Sequence, residues 1–373
     1  IMLTKIERGH EDFDVVCPSE YIIERMMRKD MLLPINRNFG DTPDYIHNLA
    51  PYIQDELNKM CMDERKVTDY AVAYMWGTAG VLYNKALVSE EEAIACRSLW
   101  DPKFANKILM KDSYRDCYGL AIIYANAERL QKGEVTVEQL MNDNSAEAIA
   151  TAEEYLKKMK PNIAGWEADF GKEMMTKGKA WMNFTWSGDA VWSIEEADAV
   201  GVELDYVVPQ EGSNVWFDGW VIPKYARNVK AASYFINYMC RPDIALRNMD
   251  AIGYVSAVAT PEILEAKIDS TLESYSDLSY FFGPEANGVQ VDPVQYPDQK
   301  VIERCAVIRD FGNKDDLEKV LEMWSRVKGD NLNTGIVLLI FAVFGALFVW
   351  LVVNKVKKYR RSVHRKRRRR KLK

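Results

Sequence analysis

Ala180-Trp181-Met182-Asn183-Phe184-Thr185-Trp186-Ser187-Gly188-Asp189-Ala190-Val191-Trp192 carries a strand, Ala180 to Thr185, into an aromatic and acidic turn. A helix, Ala190 to Ala197, leads out of it. A second cluster of the same kind, Val215-Trp216-Phe217-Asp218-Gly219-Trp220, follows a returning strand, Val202 to Val208. Five of the chain's ten tryptophans lie between Trp181 and Trp220, and each cluster sets a carboxylate within three residues of an indole. A flat apolar wall beside a negative charge suits an organic cation, because the ring face attracts an ammonium group and the carboxylate neutralises it. The alternative is a pair of core strands whose aromatics pack inward while the aspartates cap turns.

Strands alternate with helices on both sides of these clusters. Phe13 to Cys17 reads as a buried strand, with Ser19 as N-cap of a helix from Glu20 to Met31. Asp69 to Asn84 is a long apolar run broken by Gly77 and Gly80, which predicts two extended pieces joined at the glycines. Lys107 to Met110 and Ile163 to Trp166 are further strands. Asp112 to Asp116 caps a helix, and Asp315 to Lys328 is a final one. The pattern predicts an α/β fold with parallel or mixed sheets. The runs 69–84 and 205–220 are expected to cross between two lobes, placing Trp76 and both aromatic clusters at the cleft, with Trp76 packing near the hinge rather than touching ligand.

The net charge of −6 conceals an asymmetry. Residues 355–373 hold thirteen Lys or Arg and no acid, so removing them leaves −19 on residues 1–354. An acidic body argues against nucleic acid and accords with a cationic ligand. The six cysteines are scattered without a CxxC pair, and three histidines are too few for an ordinary zinc site. No metal, no cofactor and no catalytic residue is expected, and the cysteines read mostly as small buried hydrophobes.

Thr334 to Val353 is uncharged for twenty residues, enough at helical rise to span a bilayer. The basic run after it follows the positive-inside pattern, predicting a single-pass anchor with residues 1–330 outside the cell membrane and residues 354–373 as a cytoplasmic tail. The chain opens at Ile1 with no signal-peptide pattern, which suggests a missing N-terminal piece.

FDVVCPSEY, AYMWGTAGVLYN, WSGDAVW, VWFDGWVIP, INYMCRPDIA and AIGY, in that order, resemble the spermidine/putrescine periplasmic binding proteins of bacterial ABC importers. The resemblance runs from about residue 11 to 328. It implies a type II periplasmic binding protein fold, two α/β lobes closing a central cleft over a linear polyamine. Lobe one would comprise residues 1–83 and 207–330, without the family's first strand and the aromatic ligand residue on it, and lobe two residues 84–206.

The resemblance further implies ligand contacts at Ser19 and Tyr21, amine-receiving acids at Asp116, Asp189 and Asp218, and aromatic walls at Trp186, Trp216 and Tyr254. Arg309 or Asp310 lies near a further polar position. Ser113 falls where the spermidine-preferring branch has an acid. The implied partners are a polyamine and the permease and ATPase of an importer, and the chain is not expected to be an enzyme. The inventory suits the chemistry, since a polyamine needs spaced carboxylates with aromatic faces between them for its methylenes. Each candidate has a plainer role too: Asp116 as a helix cap or a partner of Arg115, Asp189 as a helix-start acid, Ser19 as an N-cap only. A carbohydrate-active enzyme with an aromatic, acidic cleft is the second reading.

Overall fold

The computed structural model describes residues 2–7, 12–60, 65–168, 170–312, 314–329 and 334–371. The chain divides into two compact units, residues 1–323 and 324–373. The first is built on one mixed sheet of nine strands. Its spine is β1 (Leu32–Leu33), β2 (Ala71–Asn84), β3 (Ile108–Lys111), β4 (Ile163–Glu167), β5 (Met182–Trp186), β6 (Leu204–Val207) and β7 (Ser213–Pro223), in the order β1-β7-β2-β5-β3-β4 with β6 beside β2. Strand β2 pairs antiparallel with β5, β6 and β7, whereas β3 pairs parallel with β4 and β5. Short strands Val255–Ser256 and Cys305–Ala306 extend β2 and β7.

Strand β2 is one continuous piece of fourteen residues, not two, and Tyr74 alone in it is less than fully buried. A strand covered on both faces shows no polar alternation, so its sequence is apolar almost throughout. Gly77 serves close approach rather than a change of direction. It faces Trp216 across the ladder, and a Cβ there would meet Ser187 Oγ at 2.5 Å and Trp216 Cζ2 at 2.9 Å. The strand expected over Phe13 to Cys17 reduces to a single bridge, Val16 to Val221, because only Val16 exchanges backbone hydrogen bonds with β7 there.

One apolar cluster draws on residues from Ile6 to Trp76 and from Val215 to Val307. Another is formed by Leu82, Leu109 and residues from Met175 to Val208, with Val294. Strand β2 contributes to both. Trp76 is fully buried and stacks on Phe281 at 5.0 Å between ring centroids, so it is core and not a cavity wall. Burying its ~200 Å² at ~25 cal/mol per Å² is worth at most about 5 kcal/mol. Cys96, Cys117 and Cys240 are buried, Cys17 and Cys305 are half-buried, and Cys61 lies outside the described residues.

The helix Lys314–Gly329 bridges the numbering of the two units, and the second unit continues as a helix from Thr334 to Lys371. Among the described residues no helix is long and apolar enough to cross a membrane. The expected span falls partly outside them, at the side chains of 334–337 and 340, and so does the basic tail from 358 onward; Leu338, Leu339 and Phe341 to Val353 are solvent-exposed.

Candidate functional site

Strand β7 brings the second aromatic cluster to a cavity of about 610 Å³. Residues two apart on a strand share a face, and Asn214, Trp216 and Asp218 all line this cavity, whereas Phe217 between them is buried in the core. Met75 on β2 stands opposite Asp218, and the ladder register shifts between Ala73 and Met75, beside the cavity-lining Tyr74.

The segment Val16–Ser19 lies along the other edge of β7. Gly219 N donates to Pro18 O at 2.9 Å, and Ser19 bridges Asp218. Ser19 occupies the N-cap position of the helix Glu20–Arg28, yet its side chain makes no cap hydrogen bond. Its hydroxyl donates to the Asp218 carboxylate instead. Burial raises the Asp218 pKa and the Ser19 hydrogen bond only partly opposes this. Among the described residues no ion pair involves Asp218.

Asp116 sits in the first turn of the helix Tyr114–Ala125, where the N-terminal dipole favours a negative charge. Ser113 caps that helix, accepting from Asp116 N at 3.4 Å. The buried Asp116 carboxylate accepts from Asn214 Nδ2 at 2.9 Å and Trp186 Nε1 at 3.2 Å. It therefore orients the Trp186 indole, rather than pairing with Arg115.

Trp186, Trp216 and Tyr254 form the aromatic wall. Trp186 and Trp216 are tilted at 6.1 Å between centroids, and Tyr254 meets Trp216 edge-on at 5.3 Å. Gly188 makes room for Tyr254, since a Cβ there would overlap its ring. The Tyr254 hydroxyl donates to Asp189 at 2.9 Å, and burial, reinforced by that carboxylate, raises the phenol's pKa.

Seven of the eight expected site residues line this one cavity: Ser19, Tyr21, Asp116, Trp186, Trp216, Asp218 and Tyr254. Asp189 does not. It lines an adjacent cavity of about 290 Å³, where the buried Lys111 ammonium lies 2.5 Å from its Oδ2. It accepts from Tyr254 on the far side of the aromatic wall and is paired with the Lys111 ammonium, so it lies off the main cavity's lining. Its partner is 78 residues away, and nothing in the local sequence signals the pair.

Glu20, Arg115, Asn214, Tyr74 and Cys17 also line the main cavity without having been singled out. Asn214 could have been found from the period-two spacing before Trp216. Burial pushes Glu20 up to about 8 against the opposing charge of Arg115, 3.8 Å away. The Arg115 guanidinium stacks 3.8 Å over the Tyr21 ring and donates to the carbonyls of Ile308 and Arg309. Burial also lifts the Tyr21 phenol to about 12, again opposed by Arg115. Acids outnumber bases on the lining, with Glu20, Asp112, Asp116 and Asp218 against Arg115. Arg309 and Asp310 lie outside it, engaged in ion pairs with Glu24 and with Arg25 and Arg28 of the helix Glu20–Arg28. Among the described residues no group of His, Cys, Asp and Glu is arranged to hold a metal ion.

Comparison with known proteins places the chain among solute-binding proteins. The spermidine/putrescine-binding periplasmic protein of Salmonella typhimurium is 27% identical over 266 residues, covering 71% of this chain and 69% of that protein. A putrescine-binding periplasmic protein of Escherichia coli is 26% identical over 268 residues, with 69% and 68% covered. The crystal structure of the spermidine/putrescine ABC transporter substrate-binding protein of Streptococcus pneumoniae superposes with a TM-score of 0.66 at 27% identity, over 88% of this chain and 87% of that one. Residues 2–277 match the family of bacterial extracellular solute-binding proteins, whose members bind solutes and are not enzymes. The chain has the periplasmic binding protein fold and belongs to the bacterial extracellular solute-binding protein family.

Proposed function

We propose that this chain captures a polyamine, putrescine or spermidine, outside the cytoplasm and delivers it to the permease and ATPase of an ABC importer. The observation that carries this reading is the main cavity itself. Trp186, Trp216 and Tyr254 surround a slot that contains the buried carboxylate of Asp116 and the half-buried one of Asp218, and Asp218 has no cationic partner among the described residues. A buried acid without a counter-ion is costly, and a ligand ammonium would remove that cost. The aromatic faces would hold the methylenes and attract the charges. Ser19 and Tyr21 complete the wall at the start of the helix Glu20–Arg28, and Asp189 supports Tyr254.

The two apolar clusters are read as the cores of two lobes, residues 1–83 with 207–330 and residues 84–206, in the type II arrangement. Strands β2 and β7 would be the crossings on which the lobes close over ligand. The uncharged run Thr334 to Val353 is read as a membrane anchor. Its twenty residues would span ~30 Å as a helix, with the thirteen basic residues of 355–373 on the cytoplasmic side.

Isothermal titration of the purified chain with putrescine, spermidine and a neutral disaccharide tests the reading. Saturable one-to-one binding of a polyamine and none of the sugar is expected. Binding of the sugar alone would turn the assignment to the carbohydrate reading. Loss of residues 334–373 should release the protein from the membrane fraction, and unchanged retention would remove the anchor.

A further inference from the structure

Behind the aromatic wall lies the smaller cavity, lined by Lys111, Glu167, Ala168, Asn183, Thr185 and Asp189 among others. It is rich in acceptors. Glu167, Asn183 and Thr185 are nearly fully buried, and Asn183 Oδ1 and Thr185 Oγ1 have no hydrogen-bond partner among the described residues. A buried acceptor left unpaired is unfavourable, so such a pocket attracts a donor, and one flanked by two carboxylates favours a cationic donor.

The donor present is the chain's own. Lys111, on β3, is buried and places its Nζ 2.5 Å from Asp189 Oδ2, 3.5 Å from Glu167 Oε1 and 3.0 Å from the carbonyl of Ala168. The same ammonium lies 4.5 Å from the Trp186 ring centroid. An ammonium between two carboxylates and over an indole is the environment that the main cavity offers to a ligand amine. Trp186 and the Tyr254–Asp189 hydrogen bond separate the two chambers: Trp186 and Tyr254 line the larger, Lys111 and Asp189 the smaller.

We infer that Lys111 is a tethered ammonium filling an amine-accepting pocket next to the ligand cleft, and that it determines specificity by denying this pocket to a ligand. Given the polyamine reading on which this inference rests, the acids beside the aromatic wall left for ligand are Asp116 and Asp218, since Glu20 faces Arg115 and Asp112 is solvent-exposed. A two-amine ligand uses both, whereas the third ammonium of a longer polyamine finds no free carboxylate in the smaller chamber. Lys111 thus selects short diamines.

The test is the double variant Lys111→Met with Glu167→Gln, which removes one charge of each sign and so avoids stranding a second buried acid. Titration of the full chain with putrescine and spermidine should show the spermidine-to-putrescine affinity ratio rising about tenfold or more over wild type. A ratio unchanged within about twofold overturns the inference. If the wild-type chain binds neither amine, the polyamine reading itself fails, and that result is distinct. A second measurement does not depend on the ligand. Lys111→Ala should gain thermal stability saturably with added n-butylammonium chloride and not with tetramethylammonium chloride, which has no N–H to donate. Equal responses to the two salts would overturn the amine-accepting pocket.

Discussion

Asp218→Asn should weaken ligand binding and, without ligand, leave the protein as stable or more so. These opposite signs follow from one environment. Asp218 is largely withdrawn from solvent, its acidity is weakened by burial, and among the described residues only the Ser19 hydroxyl compensates. The amide is nearly isosteric, its carbonyl can keep the Ser19 hydrogen bond, and it removes the cost of burying a charge. The folded pKa lies above the ordinary 3.8. The folded state therefore holds a proton that the unfolded state has released, and unliganded stability falls as pH rises from about 3.8 through the raised pKa. The Asn variant should lack that contribution. With polyamine bound the sign reverses, because the carboxylate becomes the partner of a buried ammonium. Removing one member of such a pair costs about 2–5 kcal/mol, a loss of about 30-fold to several thousandfold in affinity. Titration calorimetry at pH 7.5 and thermal melts from pH 4 to 8, each with and without putrescine, read both effects. Affinity within about twofold of wild type would falsify the role of Asp218. A clearly lower melting temperature in the unliganded variant would show instead that the carboxylate is a structural acceptor.

Two further outcomes follow from neighbouring contacts. Gly188→Ala should force Tyr254 from its place against Trp216 and Asp189, at about 1–3 kcal/mol of strain; a melting temperature and putrescine affinity both equal to wild type would mean that the ring has room to spare. Glu20, raised to about 8, should lower unliganded stability as pH climbs from about 4.5 to about 8, by up to ~1.4 kcal/mol per pH unit. Melts of Glu20→Gln should show a flatter pH profile across that window, and an unaltered slope would assign the dependence to another group.

Much of the cavity was legible because its residues sit close together in sequence on regular elements. The period of two along β7 sets Trp216 and Asp218 on one face, and the strand-to-helix turn at Trp186 and Ser187 follows from the switch in hydrophobic period. Composition and spacing alone did not separate which of the dense indoles face the cavity, and only the family resemblance singled out Trp186 and Trp216. Of the five between Trp181 and Trp220, Trp186 and Trp216 do. Trp181 packs edge-on to Phe104, Trp220 packs against Tyr74 and Phe235, and Trp192 is half exposed. Burial of that kind depends on which strands become neighbours. Asp189 shows the same limit. Its position in the first turn of a helix beside an indole is that of a ligand-binding acid, and only the parallel pairing of β3 with β5 brings Lys111 to it.

The distribution of unsatisfied polar atoms points to the same region without reference to any relative. Eight buried side-chain nitrogen or oxygen atoms lack a hydrogen-bond partner among the described residues. Two of them, Arg115 Nη1 and Trp216 Nε1, belong to residues lining the main cavity, and two more, Asn183 Oδ1 and Thr185 Oγ1, to residues lining the smaller one. Half of these costs are therefore concentrated at two adjacent chambers, although the buried core extends through the whole first unit. A stable protein tolerates such departures from local satisfaction mainly where function requires them. The acceptors cluster with Lys111 and the acids, as an ammonium-binding pocket requires. Arg115, the lone base on the main cavity's lining, is drawn away from the slot by Glu20 and the carbonyls of Ile308 and Arg309. The chain thus directs its own cations away from Asp116 and Asp218 and leaves those two carboxylates for a cation that it does not itself provide.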